Sequence, residues 1–363
     1  MIRIEDVKLR QIIPLFFLFM LIGYLLLSWL AFNMSDDTFG PVGYDVYPRW
    51  VGTRAFWRGE SPYSAAVDAE TQNFVYGRLA KPGEDSFGFY YPPHTAVVLL
   101  PLTLLPAKWA VAVWTSALWA VLAVIVYLLV RSLPALPSPW LLAAILVTIF
   151  LSRSLLLSTI NGQYALFLTA VWGAAYYFIY RGHEGAAGAL LALITIKPSL
   201  TFFPLLVLLG WAIANRRHKL VISFVLTSAA FFVITLVQLG WWLPEFLAEL
   251  DEYGGTARTW LPRDILTLPG LVWLIGSVLL MALGVWQWRR ERQAFPWALF
   301  VGVISLNLLV TPHTSEYDLV MLLLPFLFFA PAFLQSCGGK VSWFFLFWLP
   351  WFVWGALIMG GFS

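Results

Sequence analysis

Long apolar segments separated by short polar loops occupy almost the whole chain, and this alternation limits the fold more than any other feature. A helix of about 20 apolar residues crosses the hydrocarbon core of a bilayer. Backbone polar groups in lipid must be paired within the protein, which favours helices. Only 11% of the 363 residues are charged, against about 25% in soluble domains. The chain is therefore predicted to be an all-α polytopic membrane protein, a single domain over residues 1–363. The apolar segments lie near 11–33, 92–131, 138–157, 161–180, 184–197, 199–214, 219–241, 265–288, 295–312, 316–335 and 341–361.

The positions of lysine and arginine predict how these segments are oriented. Short cytoplasmic loops carry an excess of Lys and Arg. A cytoplasmic N-terminus places every later basic cluster on the cytoplasmic side, provided that 92–131 crosses an odd number of times. These clusters are Arg131, Arg181, Arg216-Arg217-Lys219, Arg289-Arg290-Arg292 and Lys340. The prediction is about eleven transmembrane helices, with a large first exoplasmic loop at residues 34–91.

Three segments have weaker patterns. The run 11–33 follows basic residues as in a signal peptide, but it is long and no A-x-A site follows, so we expect a retained helix. Pro101 and Pro106 interrupt 92–131. A short half-buried helix before one full span at 109–131 is the favoured interpretation, and a hairpin there would invert everything downstream. Lys197-Pro198 separates two short apolar segments, which predicts a broken helix pair.

The first loop carries polar residues that suit chemistry beside a membrane. Asp45 could act as a general base for an acceptor hydroxyl, or it could be a solvated loop residue or a helix cap. Arg49 and Arg54 could bind a phosphate through paired donors, or extend toward lipid headgroups. Tyr91 lies at the end of the loop, where aromatic residues are common at the membrane boundary and could also stack on a sugar.

Other polar residues fall on the same predicted face of the membrane. Lys197 is an ionisable group within apolar sequence, which indicates a functional site or a lysine that extends to the surface. Arg153 and Gln163 form another patch, and Gln163 could hydrogen-bond sugar hydroxyls. His313 precedes Glu316 and Asp318, and these three could bind a phosphate or a metal or be ordinary loop residues.

Several functional classes are disfavoured. The sequence contains no P-loop, no Gly-rich dinucleotide motif, no G-x-S-x-G and no H-E-x-x-H. One cysteine, Cys337, excludes an internal disulfide. Four histidines without a close His/Cys cluster argue against zinc, and the net charge of +3 gives no sign of nucleic-acid binding. No cofactor is expected, the sequence leaves a requirement for a divalent metal open, and a lipid-linked activated substrate is the natural donor.

Motifs in a consistent order resemble glycosyltransferase family 87, also catalogued as domain of unknown function 2029. The first loop matches through Asp45, Arg49-Trp50, Arg54, Gly59 and Pro62-Tyr63. Later matches are Tyr91-Pro92-Pro93 with Leu100-Pro101-Leu102, Gly162-Gln163, Ile196-Lys197-Pro198, and Thr311-Pro312 with Tyr317-Asp318. The resemblance covers about residues 10–335. Arg49 stands where the family often has tyrosine, and Ser199 follows Lys-Pro where it has glutamine.

The resemblance implies a helical bundle of the GT-C type with its active site on the exoplasmic side. It implies an inverting transfer of a hexose such as mannose from a polyprenyl-phosphate sugar to a lipid or glycan acceptor of the cell envelope. The family's first-loop aspartate corresponds to Asp45, and Lys197, with Arg54 and Arg153 behind it, would hold the donor phosphate. A multi-pass protein in the plasma membrane of a prokaryotic cell, surrounded by membrane lipids, is expected.

The alternative is a transporter or lipid flippase, which also places charges inside helices. Transporters commonly contain internal repeats with broken helices at matched positions. No repeat is visible in this sequence, and the polar residues gather on one predicted face. The enzyme is therefore the preferred prediction.

Overall fold

The protein is described by a computed structural model that covers residues 43–131, 138–256, 268–292, 295–311 and 314–327. Within these ranges every regular element is a helix, as the apolar segments predicted. The α-helices are α1 Val46–Trp57, α2 Ala65–Tyr76, α3 Thr95–Leu99, α4 Ala107–Arg131, α5 Pro139–Phe150, α6 Arg153–Ile160, α7 Tyr164–Tyr180, α8 Glu184–Leu193, α9 Pro198–Ala214, α10 His218–Leu239, α11 Leu243–Thr256, α12 Leu268–Arg290 and α13 Trp297–Val310. Short 3-10 helices cover Leu100–Leu104, Ile194–Ile196 and Glu316–Leu322.

Three helical stretches of the described residues are long and apolar enough to cross a membrane: Ala107–Val130, Pro139–Ile160 and His218–Leu239. The second combines α5 and α6, and the Ser152 hydroxyl caps α6 by accepting a hydrogen bond from the Leu155 amide at 3.3 Å. The chain is therefore a helical membrane protein. The predicted spans at 11–33 and 341–361 lie outside the described residues, so the number of crossings stays a prediction.

The segment 92–131 has the predicted short helix before a single long one. Helix α3 runs into the 3-10 helix Leu100–Leu104, which contains Pro101, and α4 starts at Ala107 just after Pro106. A proline lacks a backbone N–H and disfavours helical geometry in the residue before it. The two prolines thus account for the break before the long helix.

The described part of the predicted first loop contains two helices, and α1 is almost entirely buried. Its Trp50 indole donates hydrogen bonds to the carbonyls of Leu102 and Leu105, both at 3.2 Å. The Trp57 indole donates to the carbonyl of Ala96 at 3.0 Å. These bonds fix α1 against the break between α3 and α4, and so fix the position of Asp45 at its N-terminal end.

The predicted helix break at Lys197 is also present. Helix α8 ends at Leu193, the 3-10 helix Ile194–Ile196 follows, and α9 begins at Pro198. Lys197 lies between them with φ −132° and ψ 76°. Proline is favourable at the first position of a helix, where no partner exists for an N–H. The break directs the Lys197 side chain away from regular helix packing and toward a cavity.

Candidate active site

Residues from distant parts of the chain enclose a cavity of about 490 Å³. Its wall comes from the start of α1, the loop before α3, the turn between α6 and α7, the Lys197 break, α11 and the 3-10 helix Glu316–Leu322. Small-molecule sites typically measure about 300–1,000 Å³. Of the residues predicted from sequence, Asp45, Tyr91, Gln163 and Lys197 line this cavity.

Asp45 occupies the N-cap position of α1, yet its side chain makes no capping hydrogen bond. Instead the Gln163 side-chain amide donates a hydrogen bond to Asp45 Oδ2. No described residue donates to Asp45 Oδ1. The carboxylate is therefore held by one oxygen, and the other is available to a ligand in the cavity. The cap interpretation of Asp45 is not supported by these contacts.

A glycine turn brings Gln163 to Asp45. Gly162 has φ +70°, a left-handed conformation that favours glycine. A Cβ atom at Gly162 would collide with the Val46 side chain. The Gly43 amide donates to the carbonyl of Ile160 at 2.6 Å. The turn between α6 and α7 thus packs directly on the start of α1.

Burial raises the pKa of Asp45 from its ordinary value of 3.8 to about 6. The positive charges of Arg49 and Lys197 oppose this rise, while Asp85 and Asp318 add to it. A general base works best when its pKa lies near the working pH. The carboxyl is therefore mostly ionised at neutral pH and still basic enough to accept a proton.

Arg49 is 1% exposed and contacts protein groups rather than the cavity. Its guanidinium donates to the carbonyl of Gly162 at 2.5 Å, to the Tyr91 hydroxyl at 2.8 Å and to Gln163 Oε1 at 3.3 Å. Its Cζ lies 3.9 Å from the ring centroid of Tyr164. These contacts join α1 to the turn before α7 and orient Gln163, so the predicted contact of Arg49 with substrate is not evident from its position.

Lys197 brings a positive charge to the cavity wall. Its ammonium lies 3.3 Å from Asp318 Oδ1, with 15% of the Lys197 side chain and none of the Asp318 side chain exposed. Asp318 Oδ2 accepts a hydrogen bond from the Ser315 amide at 3.0 Å. An ammonium has three donors, so the pairing with Asp318 fixes the Lys197 nitrogen and leaves N–H groups for a ligand.

The remaining predicted residues lie elsewhere. Arg54 pairs with Glu70 at 3.9 Å and lies over the Trp50 ring. Arg153 forms an ion pair with Glu316. Neither arginine lines the cavity. His313 lies outside the described residues.

Sequence reasoning missed several lining residues. Asp85, Phe87 and Tyr90 come from the loop before α3, and Phe246 and Leu250 come from α11. The predicted apolar segments leave residues 242–264 between them, whereas Leu243–Thr256 is helical. The four-residue spacing of Phe246 and Leu250 was the available signal, because such residues share one helix face. Within the described residues, no group of three or more His, Cys, Asp or Glu side chains could hold a metal.

Comparison with known proteins shows a similarity to a protein family. The sequence model of glycosyltransferase family 87 matches residues 89–312, more than half of the chain. The matched region contains Tyr91, Arg153, Gln163 and Lys197, and it begins after Asp45, Arg49 and Arg54. No curated protein and no solved structure matches the chain significantly.

Proposed function

Because this chain belongs to glycosyltransferase family 87, we propose that it transfers a hexose, such as mannose, from a polyprenyl-phosphate sugar to a lipid or glycan acceptor. The transfer inverts the anomeric carbon. The observation that carries the proposal is that a carboxylate, Asp45, and an ammonium, Lys197, line the same cavity. These are the two charges that such a displacement needs, one to remove a proton and one to stabilise a departing phosphate.

Asp45 acts as the general base. The acceptor hydroxyl oxygen attacks the anomeric carbon, the bond from that carbon to the phosphate oxygen breaks, and its electron pair leaves with the polyprenyl phosphate. The acceptor proton passes to Asp45 Oδ1, the oxygen that no described residue holds. Gln163 keeps the carboxylate oriented through the other oxygen. In an inverting displacement the base and the leaving group lie on opposite faces of the sugar.

Lys197 stabilises the negative charge that develops on the leaving phosphate. The hydrogen bond to Asp318 fixes the position of the Lys197 nitrogen. The remaining N–H groups of the ammonium are available to a ligand in the cavity. Fixed charges of this kind stabilise a transition state without having to reorganise during the reaction. Arg54 and Arg153 are paired with Glu70 and Glu316 away from the cavity lining, so Lys197 is the principal phosphate ligand in this proposal.

Aromatic and amide groups position the sugars. Tyr91 and Gln163 line the cavity together with Asp45. Arg49 holds both of them from behind through its hydrogen bonds. His313 remains a substrate contact predicted from sequence alone.

The proposed setting is the plasma membrane of a prokaryotic cell, crossed several times, with the N-terminus in the cytoplasm. The basic loops predicted to be cytoplasmic put the first loop, the Lys197 break and the segment around Asp318 on the exoplasmic side. A lipid-linked donor suits that side, because no nucleotide-binding motif occurs in the chain.

Transfer of radiolabelled mannose from polyprenyl-phosphate mannose to native membrane lipids tests the proposal. The purified protein is compared with Asp45→Asn and with Glu60→Gln, a control whose carboxylate pairs with Arg58 on the exposed surface. Transfer by the wild type and by the control, but not by Asp45→Asn, supports the enzyme and its base. Equal transfer by all three removes Asp45 from the mechanism. Movement of lipid across vesicles without any transfer indicates a transporter instead.

A further inference from the structure

The cavity is lined by two groups of residues from different segments of the chain. Asp45, Tyr91 and Gln163 form one group, which we call the base wall, and Lys197-Pro198 forms the lysine wall. The Arg49 guanidinium donates to the Tyr91 hydroxyl and to Gln163 Oε1, and so holds the base wall together. The proposed displacement needs both walls at a fixed separation, because the base and the phosphate ligand act on one substrate pair at the same time.

A hydrogen bond between His94 and Thr195 connects these two walls. His94 follows Tyr91 after two prolines and occupies the N-cap position of α3, where its side chain makes no capping hydrogen bond. Its Nε2 instead lies 3.0 Å from Thr195 Oγ1. Thr195 belongs to the 3-10 helix Ile194–Ile196, which ends just before Lys197. The bond therefore joins the segment after Tyr91 to the segment that carries the lysine.

The Thr195 hydroxyl determines the direction of this hydrogen bond. It donates to the carbonyl of Ala192 at 2.6 Å, and a hydroxyl has only one proton to donate. The imidazole is therefore the donor, with its proton on Nε2. Burial lowers the pKa of His94 to about 4, so the ring is neutral at neutral pH and the hydrogen bond selects this tautomer.

Both ends of the connection are held in place. The two prolines before His94 have fixed φ angles, which limits the conformations of that segment. The imidazole stacks on the Phe231 ring of α10, with 13° between the planes and the centroids 5.6 Å apart. On the other side, the Thr201 hydroxyl donates to the carbonyl of Ile194 at 2.9 Å. The bond thus links two restrained segments, so a displacement of one is passed to the other.

Given the proposed transfer reaction, we infer that His94 is a positioning residue that sets the separation between the base wall and the lysine wall by donating a hydrogen bond to Thr195. Neither His94 nor Thr195 is among the described residues that line the cavity, so the effect passes through Tyr91 and Lys197. A misplacement of about 1 Å can cost about a hundredfold in rate. Loss of the bond should therefore lower kcat, whereas KM for each substrate depends mainly on one wall and should change little.

Steady-state transfer kinetics with His94→Phe, Thr195→Val and the double variant test this role. Phenylalanine keeps an aromatic ring to stack on Phe231 but has no N–H, and valine has the shape of threonine without its hydroxyl. Each single variant should lower kcat by about tenfold or more and change each KM by less than about twofold. Because both substitutions remove the same bond, the double variant should be no slower than the slower single variant.

Two further variants separate positioning from folding. Thr195→Ser retains the hydroxyl and should have a kcat close to that of the wild type, which keeps the test decisive if His94→Phe does not fold. Thr235→Val is the matched control, since the Thr235 hydroxyl accepts from the Trp242 indole at 3.0 Å and donates to the carbonyl of Phe232 at 2.8 Å. Thr235 and Trp242 are not among the described residues that line the cavity. The control should lower the melting temperature as Thr195→Val does and leave kcat unchanged.

Hydrogen–deuterium exchange of the protein in lipid nanodiscs tests the connection without any substrate. The backbone amides of residues 94–99 and of residues 194–200 should both exchange faster in His94→Phe than in the wild type, and the same should hold for Thr195→Val. Thr235→Val should leave the exchange of both segments unchanged.

Each outcome bears on the inference. Faster exchange in the substituted segment alone, effects on kcat that multiply in the double variant, or an equal loss of kcat in Thr235→Val and Thr195→Val would overturn it. A raised KM for the donor with unchanged kcat would also overturn it, because the effect would then lie on Lys197 alone. If the wild type transfers no sugar, the proposed function fails, whereas the exchange result still decides whether His94 connects the two walls.

Discussion

The raised pKa of Asp45 predicts a specific pH dependence of sugar transfer. The carboxyl must be ionised to accept a proton, and burial raises its pKa to about 6. At pH 5 only about a tenth of the molecules would carry an ionised Asp45, whereas an unperturbed aspartate would be about nine-tenths ionised. We therefore expect kcat/KM to be constant above about pH 7 and to fall about tenfold per pH unit below pH 5.

The assay is initial-rate transfer from a polyprenyl-phosphate sugar between pH 4.5 and 8, with protein in nanodiscs. The kcat of Asp45→Asn should be about a hundredfold to ten-thousandfold lower than that of the wild type, which is the usual contribution of a general base. The residual rate of this variant should not fall with decreasing pH as the wild-type rate does. A wild-type profile that stays flat to pH 4.5 would refute the reasoning. So would an Asp45→Asn variant whose rate still falls through pH 6.

The raised pKa of Asp45 also predicts that the stability of the fold depends on pH, in the opposite direction to the activity. Because the folded pKa lies above the ordinary value of 3.8, Asp45 contributes stability at low pH that is lost as the pH rises through about 6. The full difference is at most about 3 kcal/mol. Asp45→Asn should therefore unfold at the same or a higher temperature than the wild type at pH 7.5, which separates lost catalysis from lost folding.

Three further predictions concern residues around the cavity. Lys197→Met should lower kcat/KM for the donor by about tenfold to a hundredfold, because charge-assisted hydrogen bonds to the phosphate are lost. The control Arg54→Gln removes an arginine paired with Glu70 and should change kcat/KM for the donor less than about twofold. Equal effects of the two variants in steady-state kinetics would contradict this. Gly162→Ala should lower the free energy of unfolding by about 2 kcal/mol more than Gly77→Ala does. Both glycines have positive φ, but only a Cβ atom at Gly162 meets another side chain, that of Val46. Equal decreases in melting temperature for the two variants would show that Val46 can move aside. Arg49→Met should destabilise by about 2–4 kcal/mol, since it leaves the buried Gln163 Oε1 unpaired and removes one of the two donors to the Gly162 carbonyl, the other being the Trp114 indole. A variant with wild-type thermal stability but a raised KM for the donor would instead support the predicted contact of Arg49 with substrate.

Local sequence was enough to predict the helix breaks. Pro101, Pro106 and Pro198 interrupt apolar runs, and a proline acts on its own residue and the one before it. The structure accordingly has breaks at all three places. The family resemblance is likewise confirmed over residues 89–312, because its motifs are local runs of sequence.

The partners of the charged residues could not be predicted, since they depend on distant segments. Arg49 and Arg54 have similar surroundings in sequence, yet one is enclosed near Tyr164 and the other pairs with Glu70. Both arginines were predicted as phosphate ligands, because the sequence does not show in which direction each side chain extends from α1. The partner of Lys197 lies 121 residues away in sequence, a separation over which no periodic pattern gives information.

The long-range pairs also determine when the site can form during synthesis. Asp45 meets Gln163 across 118 residues, and Lys197 meets Asp318 across 121. Helices enter a membrane roughly in chain order, and contacts between distant segments form late because loop closure must come first. A nascent chain that ends before Ser315 can pair Asp45 with Gln163, but its Lys197 still lacks the carboxylate that fixes it. The cavity thus gains its oriented cation only after the segment around Asp318 has been synthesised.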